Sequence, residues 1–182
     1  MEYALVLPVA ESHSERIKAF RAQYAGWASR PMRSWPHLSI KGGAGLSAEP
    51  GCLDLIREIA AATSPFEVRL GGPAVFPGDG RVLHLQVESP GWGRLHRTLV
   101  DTVARHTGAQ LHPLEVAGWI PHVTLLRLTA QALERRDEVY AAVRRAVPTD
   151  SSFVVETVRM ERFDSVANWW KQFHEFDLTG AT

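Results

Sequence analysis

Two short segments, Pro36-His37-Leu38-Ser39-Ile40 and Pro121-His122-Val123-Thr124-Leu125, repeat one pattern of proline, histidine, aliphatic, hydroxyl residue, aliphatic. Side chains alternate along an extended strand, so each segment would set an imidazole and a hydroxyl on one face and two aliphatics on the other. An imidazole with an ordinary pKa of about 6.5 takes or gives a proton near neutrality. Two of them suit a phosphodiester: one removes a proton from the attacking water or hydroxyl, and the other protonates the leaving oxygen. The hydroxyls of Ser39 and Thr124 would then donate hydrogen bonds to non-bridging phosphoryl oxygens. Such a site calls for no metal and no cofactor. A lone histidine in a strand is more often a satisfied structural residue. The joint match in residue type, flanks and context is what points to His37 and His122 as a catalytic pair.

The elements around the motifs read as one α+β pattern met twice. Tyr3 to Val9 is expected as a first strand. Ser12 and Glu15 have capping-box spacing, and Ile17, Phe20, Tyr24 and Trp27 follow at helical intervals. A strand from His37 to Lys41, a helix from Glu49 to Ala62, and strands over Phe66–Phe76 and Arg81–Glu88 come next. In the second part Ser89 caps a helix with Trp92, Leu95, Leu99 and Val103 on one face, ended by Gly108. His122 to Leu128 is a strand, and Thr129 caps a helix stopped by Pro148. Two last strands are expected over Phe153–Phe163 and Trp169–Leu178. The order suggests a duplicated unit within a single domain over residues 1–182. Its lobes fall roughly at 1–88 and 89–182, with room for an exchange of terminal strands.

Composition narrows the partners. Lys plus Arg and Asp plus Glu each number 20, giving a formal net charge of +0. No global field gathers a polyanion, so tight binding of long nucleic acid is not expected. A small phosphate ester or an RNA terminus needs only a local pocket. Cys52 is the only cysteine, which rules out an intramolecular disulfide and a zinc–thiolate cluster. The start is apolar but short and carries Glu2, so it reads as a strand rather than a signal peptide. With no run of membrane-span length, a cytoplasmic protein without membrane contact is expected.

Other residues carry weaker signals. His84 shares a strand face with Val82 and Gln86 and reads more readily as surface or structural than as a groove residue. His96 and His106 are expected at exposed positions. Trp35, Trp119, Trp169 and Trp170 could stack bases, although core packing is the ordinary fate of most tryptophans. Trp35 and Trp119 lie just before the motif prolines, which would let one of them border a groove.

The paired motifs, the opening strand Tyr3-Ala4-Leu5-Val6-Leu7, the Phe153-Val154-Val155 strand and the closing aromatic strand around Trp170 resemble the 2H phosphoesterase superfamily. It includes the 2′-5′ RNA ligase-like proteins and the RNA 2′,3′-cyclic phosphodiesterases, and the chain looks closest to their compact bacterial branch. The resemblance implies a bilobal α+β fold, two antiparallel sheets facing across a central groove with helices outside. It implies His37 as proton donor and His122 as acceptor. It places a basic residue after each motif, matched by Lys41 and Arg127, which would join Ser39 and Thr124 in holding substrate. Lys41 has the strand parity of His37, whereas Arg127 has the parity opposite to His122. Gly42 stands where relatives carry an aromatic. The implied activity is hydrolysis of a cyclic phosphodiester. Alternatives are a nucleotide- or RNA-end-binding module of the same fold, a 2′-5′ ligase or 2′-5′ phosphodiesterase, and, more weakly, a metallohydrolase, for which no carboxylate accompanies the motifs.

Overall fold

A computed structural model of the chain describes residues 2–78, 80–111, 113–116 and 118–181. Eight strands, β1 (Tyr3–Pro8), β2 (His37–Gly42), β3 (Phe66–Val75), β4 (Val82–Glu88), β5 (His122–Arg127), β6 (Ser151–Val155), β7 (Thr157–Asp164) and β8 (Trp169–Asp177), form one sheet. Its order is β6-β3-β4-β5-β2-β1-β7-β8, and every neighbouring pair is antiparallel. Among the described residues five α-helices accompany it: α1 (Glu11–Gln23), α2 (Pro50–Ala61), α3 (Pro90–Thr107), α4 (Ala130–Glu134) and α5 (Arg136–Ala146).

The chain order forces this sheet to curl. β6 and β7 are separated by Glu156 alone, yet they stand six places apart in the sheet. In a flat sheet that separation would be about 29 Å, whereas two peptide steps span at most about 7 Å. The two four-stranded halves therefore face one another, which is the bilobal α+β architecture expected. They meet along β2 and β5, where the register pairs Leu38 with Val123. One half holds β6, β3, β4 and β5, and the other β2, β1, β7 and β8, so each mixes strands from distant parts of the chain.

Local chemistry sets most element ends. The Ser89 hydroxyl accepts from the Trp92 N–H at 3.2 Å and starts α3, and Gly108 closes it at φ 69°. Thr129 caps α4 in the same way. Three expectations differ. The capping box at Ser12 does not form, because α1 already begins at Glu11 after an uncapped Ala10. Glu15 instead pairs with Lys18 at 2.7 Å. The strand expected over Phe153–Phe163 is two strands, since Glu156 is where the chain passes from one sheet edge to the other half. The helix expected after Thr129 breaks at Arg135 into α4 and α5.

One apolar core runs through the molecule. It joins Leu5 and Leu7 of β1, Leu38 and Ile40 of β2, Val123 and Leu125 of β5, and the inner faces of α1, α2, α3 and α5. The aliphatic residues of both motifs are at most 2% exposed, so each strand is anchored from behind while its polar residues face outward.

Candidate active site

β2 and β5 are neighbours at the seam, and the pairing of Leu38 with Val123 acts as a local two-fold axis. Counting one residue either way along this antiparallel register sets His37 opposite Thr124 and Ser39 opposite His122. Each histidine thus meets the hydroxyl residue of the other motif. This reciprocity follows from the one-residue gap inside each motif.

The two imidazoles are held alike. His37 Nδ1 lies 2.9 Å from the Trp35 carbonyl oxygen, and His122 Nδ1 lies 2.7 Å from that of Ile120. A carbonyl only accepts, so both Nδ1 atoms carry the hydrogen, which leaves Nε2 of each neutral ring as the proton acceptor. The motif prolines contribute to this. A residue before proline is kept out of the helical region, so Trp35 and Ile120 stay extended and present their carbonyls two residues on.

Both histidines line one cavity of about 520 Å³, together with Thr124, Arg127, Arg21, Arg33, Phe76 and Trp170. A second cavity of about 560 Å³ flanks His122 and carries Ser39, Phe76, Trp119 and Ile120. Desolvation is the main reason that His37 is lowered to about 4, and the positive charges of Arg21 and His122 lower it further, against the Trp35 hydrogen bond. Burial also lowers His122, opposed by the Ile120 bond. His37 is therefore the harder of the two to protonate in the free protein.

Strand parity misplaces the two flanking basic residues, for one physical reason. β2 carries an extra residue against β1, where Leu5 pairs with Lys41 and Val6 with Ser39. β5 carries the matching extra residue against β4, where Leu83 pairs with Leu126 and His84 with Thr124. Each bulge reverses the alternation beyond it. Arg127 consequently joins His122 and Thr124 in lining the cavity. Lys41 turns to the buried side with Ile40, and its Nζ lies 3.1 and 3.2 Å from the Glu115 carboxylate oxygens.

Three features were not legible in the sequence. Arg21 on α1 donates to three backbone carbonyls, Leu125 at 3.1 Å, Ser34 at 2.9 Å and Thr124 at 2.7 Å, and so clasps the β5 bulge. Phe76 stacks on His84 at 4.4 Å between centroids and meets His122 edge-on at 4.7 Å. His84 is itself buried at 3% exposure, 5.6 Å from the His122 ring. His96 was expected at the surface and is instead 2% exposed. Its two nitrogens lie 2.8 Å from the Ile40 oxygen and 2.9 Å from the Glu115 oxygen, and its ring stacks on Trp119. The apolar stripe of α3 is two rows wide, and His96 sits four residues from both Trp92 and Val100 within it.

Among the described residues no group of three or more His, Cys, Asp or Glu side chains is placed to hold a metal ion, and no helix is long and apolar enough to cross a membrane. Residues 9–167 match the family model described as the 2′-5′ RNA ligase superfamily. The crystal structure of TT0787 of Thermus thermophilus is similar over 99% of both chains, with 24% identity and a TM-score of 0.68. E. coli LigT in apo form is similar over 98% of this chain and 97% of its own, with 20% identity and a TM-score of 0.64. The same E. coli protein complexed with 3′-AMP is similar over 98% of both chains, with 18% identity and a TM-score of 0.67. At these identities the likeness speaks for the fold. No curated protein matches the chain.

Proposed function

The chain belongs to the 2′-5′ RNA ligase superfamily, and from that premise we propose that it is a metal-independent phosphoesterase using His37 and His122 on a cyclic phosphodiester. The substrate class proposed is a 2′,3′-cyclic phosphate on an RNA end or a nucleotide. The observation that carries the reading is the pair of Nδ1-anchored imidazoles lining one cavity with a hydroxyl residue set opposite each. Water attacks phosphorus in line with the leaving oxygen. His122 Nε2 takes the proton from water, and His37 gives one to the departing ribose oxygen. Thr124, Ser39 and Arg127 hold the non-bridging oxygens. Lys41 lines the cavity beside His122 in a pair with Glu115 that offsets its charge. The apolar cavity with Phe76, Trp119 and Ile120 suits a nucleobase.

His37 is hard to protonate in the free protein. The proposed competent form, with the proton on His37 and His122 neutral, is therefore the minor singly protonated form of the free protein, and a phosphate anion docked between the rings favours imidazolium at each. This sets an expected pH dependence. The competent molecule has one neutral and one protonated imidazole, which makes the profile bell-shaped between two apparent pKa values. Both histidines are lowered from 6.5, so kcat/KM, which reports the free enzyme, peaks below pH 6.5. The kcat profile lies at higher pH. A kcat/KM maximum above about pH 7 would count against the pair as catalytic groups.

The deciding experiment is a panel of 2′,3′-cyclic nucleotides, cyclic-ended RNA oligomers and 2′-5′-linked dinucleotides, with product identification, run with and without EDTA. Opening of the cyclic phosphate, unaffected by EDTA, is expected. Loss of activity with EDTA and its return with zinc or manganese would overturn the mechanism. Binding of the cyclic nucleotide without turnover would make the protein a binding module, and turnover of only the 2′-5′ dinucleotides would move the substrate class.

A further inference from the structure

The segment between α1 and β2, Ser29 to Pro36, gives the proton chemistry above only the Trp35 carbonyl that holds His37, and the rest of it has no role there. Its backbone is pinned at both ends. The Ser29 N–H donates to the Arg127 oxygen at 2.7 Å, the Trp170 N–H donates to the Arg33 oxygen at 2.8 Å, and Arg21 holds the Ser34 oxygen. Pro31 and Pro36 stiffen it further. Its side chains point the other way. Arg30 and Arg33 are exposed and make no ion pair with a described residue, and Trp35 is 53% exposed.

These residues line a cavity of about 500 Å³ that adjoins the histidine cavity and shares Arg21, Arg30, Pro31, Met32 and Ser34 with it. Its far wall is Trp35, edge-on to Trp169 at 5.3 Å, with Lys18 Nζ 4.1 Å from the Trp35 ring centroid. Among the described residues the two cavities are lined by the cations Lys18, Arg21, Arg30 and Arg33 as well as Arg127, and by one carboxylate, Glu2, with Glu15 paired with Lys18 just outside. In a chain of formal net charge +0 this is a strong local segregation. Among the described residues, the charged pair lining the apolar cavity on the other flank of His122 is Lys41–Glu115, which offers no net charge to a phosphate. Each cavity is of a size that takes a nucleotide, about 300–1,000 Å³.

We propose that the cavity formed by Lys18, Arg30, Trp35 and Trp169 is a second nucleotide subsite, which binds the single-stranded RNA immediately 5′ of the cyclic end. The proposal rests on the cyclic phosphodiesterase reading given above. The arginines take the upstream phosphodiesters, and the Trp35–Trp169 wall takes a base by stacking. A cationic track with aromatic faces is the usual means of holding a single strand without reading its sequence. The protein is then selective for RNA ends over free cyclic nucleotides, and it requires no base identity upstream.

The test compares kcat/KM for a 2′,3′-cyclic mononucleotide with cyclic-ended di- and trinucleotides. The oligomers are expected to react about tenfold better or more. That gain falls with added salt, by a log–log slope of about 0.7 per phosphate contacted. The variant Lys18→Ala/Arg30→Ala loses most of the oligomer-to-mononucleotide gain, a ratio in which any effect of Arg30 on the histidine cavity cancels. Trp35→Ala lowers the oligomer-to-mononucleotide ratio and Trp35→Phe restores it, a ratio in which any effect on the chemistry cancels. Equal rates on all three lengths, or a gain that survives in the double variant, would overturn the subsite while leaving the phosphodiesterase reading intact. If the cyclic mononucleotide and the oligomers are all inert, the reading beneath it fails instead.

Discussion

Replacing His37 or His122 by alanine is expected to lower kcat by about 10²–10⁴-fold each, the usual contribution of a general acid or base. The double variant should lose little more than the worse single, because the two groups act in one proton relay. Neither ring belongs to the apolar core, although His122 meets Phe76 edge-on. Both are only partly buried, and the hydrogen bond of each goes to a carbonyl two residues away, so thermal unfolding should stay close to that of the parent protein. A substrate whose leaving group needs no proton separates the roles. On it the variant lacking the acid recovers and the variant lacking the base does not. Recovery of His122→Ala with persistent loss in His37→Ala would reverse the assignment made from the family resemblance. Near-parent rates for either variant on the ordinary substrate would end the two-histidine mechanism.

Arg21→Met is expected to have the largest effect of any substitution outside the two motifs. The guanidinium is bound to three carbonyls and has no carboxylate partner among the described residues. Burial lowers its pKa to about 10, so it remains charged at neutral pH. Methionine fills the space but leaves the carbonyls of Ser34, Thr124 and Leu125 without that donor. Each buried acceptor left unpaired costs about 1–3 kcal/mol. Because water reaches part of this region from the adjoining cavities, the expected loss is about 2–4 kcal/mol, a drop of roughly 5–15 °C in Tm for a chain of this size. The loss of charge also removes one cause of the lowered His37 pKa, so the acid limb of kcat/KM moves to higher pH. Arg21→Lys keeps the charge but cannot span three acceptors with one ammonium. It should retain the parent pH limb and lose most of the stability. Parent-like melting and an unshifted pH limb in Arg21→Met would show that the clasp on β5 has no role in either.

What could be read from the sequence was local in origin. The Ser89 and Gly108 ends of α3, the Thr129 cap and the alternation within the two motifs depend on residues a few positions apart, and the structure has them in place. What could not be read depends on partners distant in the chain. The fate of Lys41 and Arg127 turns on a bulge in each histidine strand, and a bulge is a property of two strands. The one sign available was Leu125-Leu126, two adjacent aliphatics that break the alternation and are both buried. The split at Glu156 shows as a change of phase, with Phe153 and Val155 buried and then Val158, but only the sheet order explains it. The contacts of Arg21 with Thr124 and Leu125, of Phe76 with His122 and of His96 with Ile40 join residues far apart in sequence, and no spacing rule connects them.

The interleaving of strands also sets when the protein becomes functional. Tyr3 pairs with Arg162 and Val6 with Arg159, so the opening strand cannot complete its sheet neighbourhood until β7 has been made. His37 likewise waits for His122 on a strand that follows about half the chain later. Closing such long loops before their contacts form is slow, and sheets built on distant pairings fold on the scale of milliseconds to seconds. On a ribosome, where the chain grows by about 5–20 residues per second, the first motif is exposed for several seconds without its counterpart. A partly synthesised chain therefore carries no assembled pair of imidazoles until the last quarter of the chain has emerged.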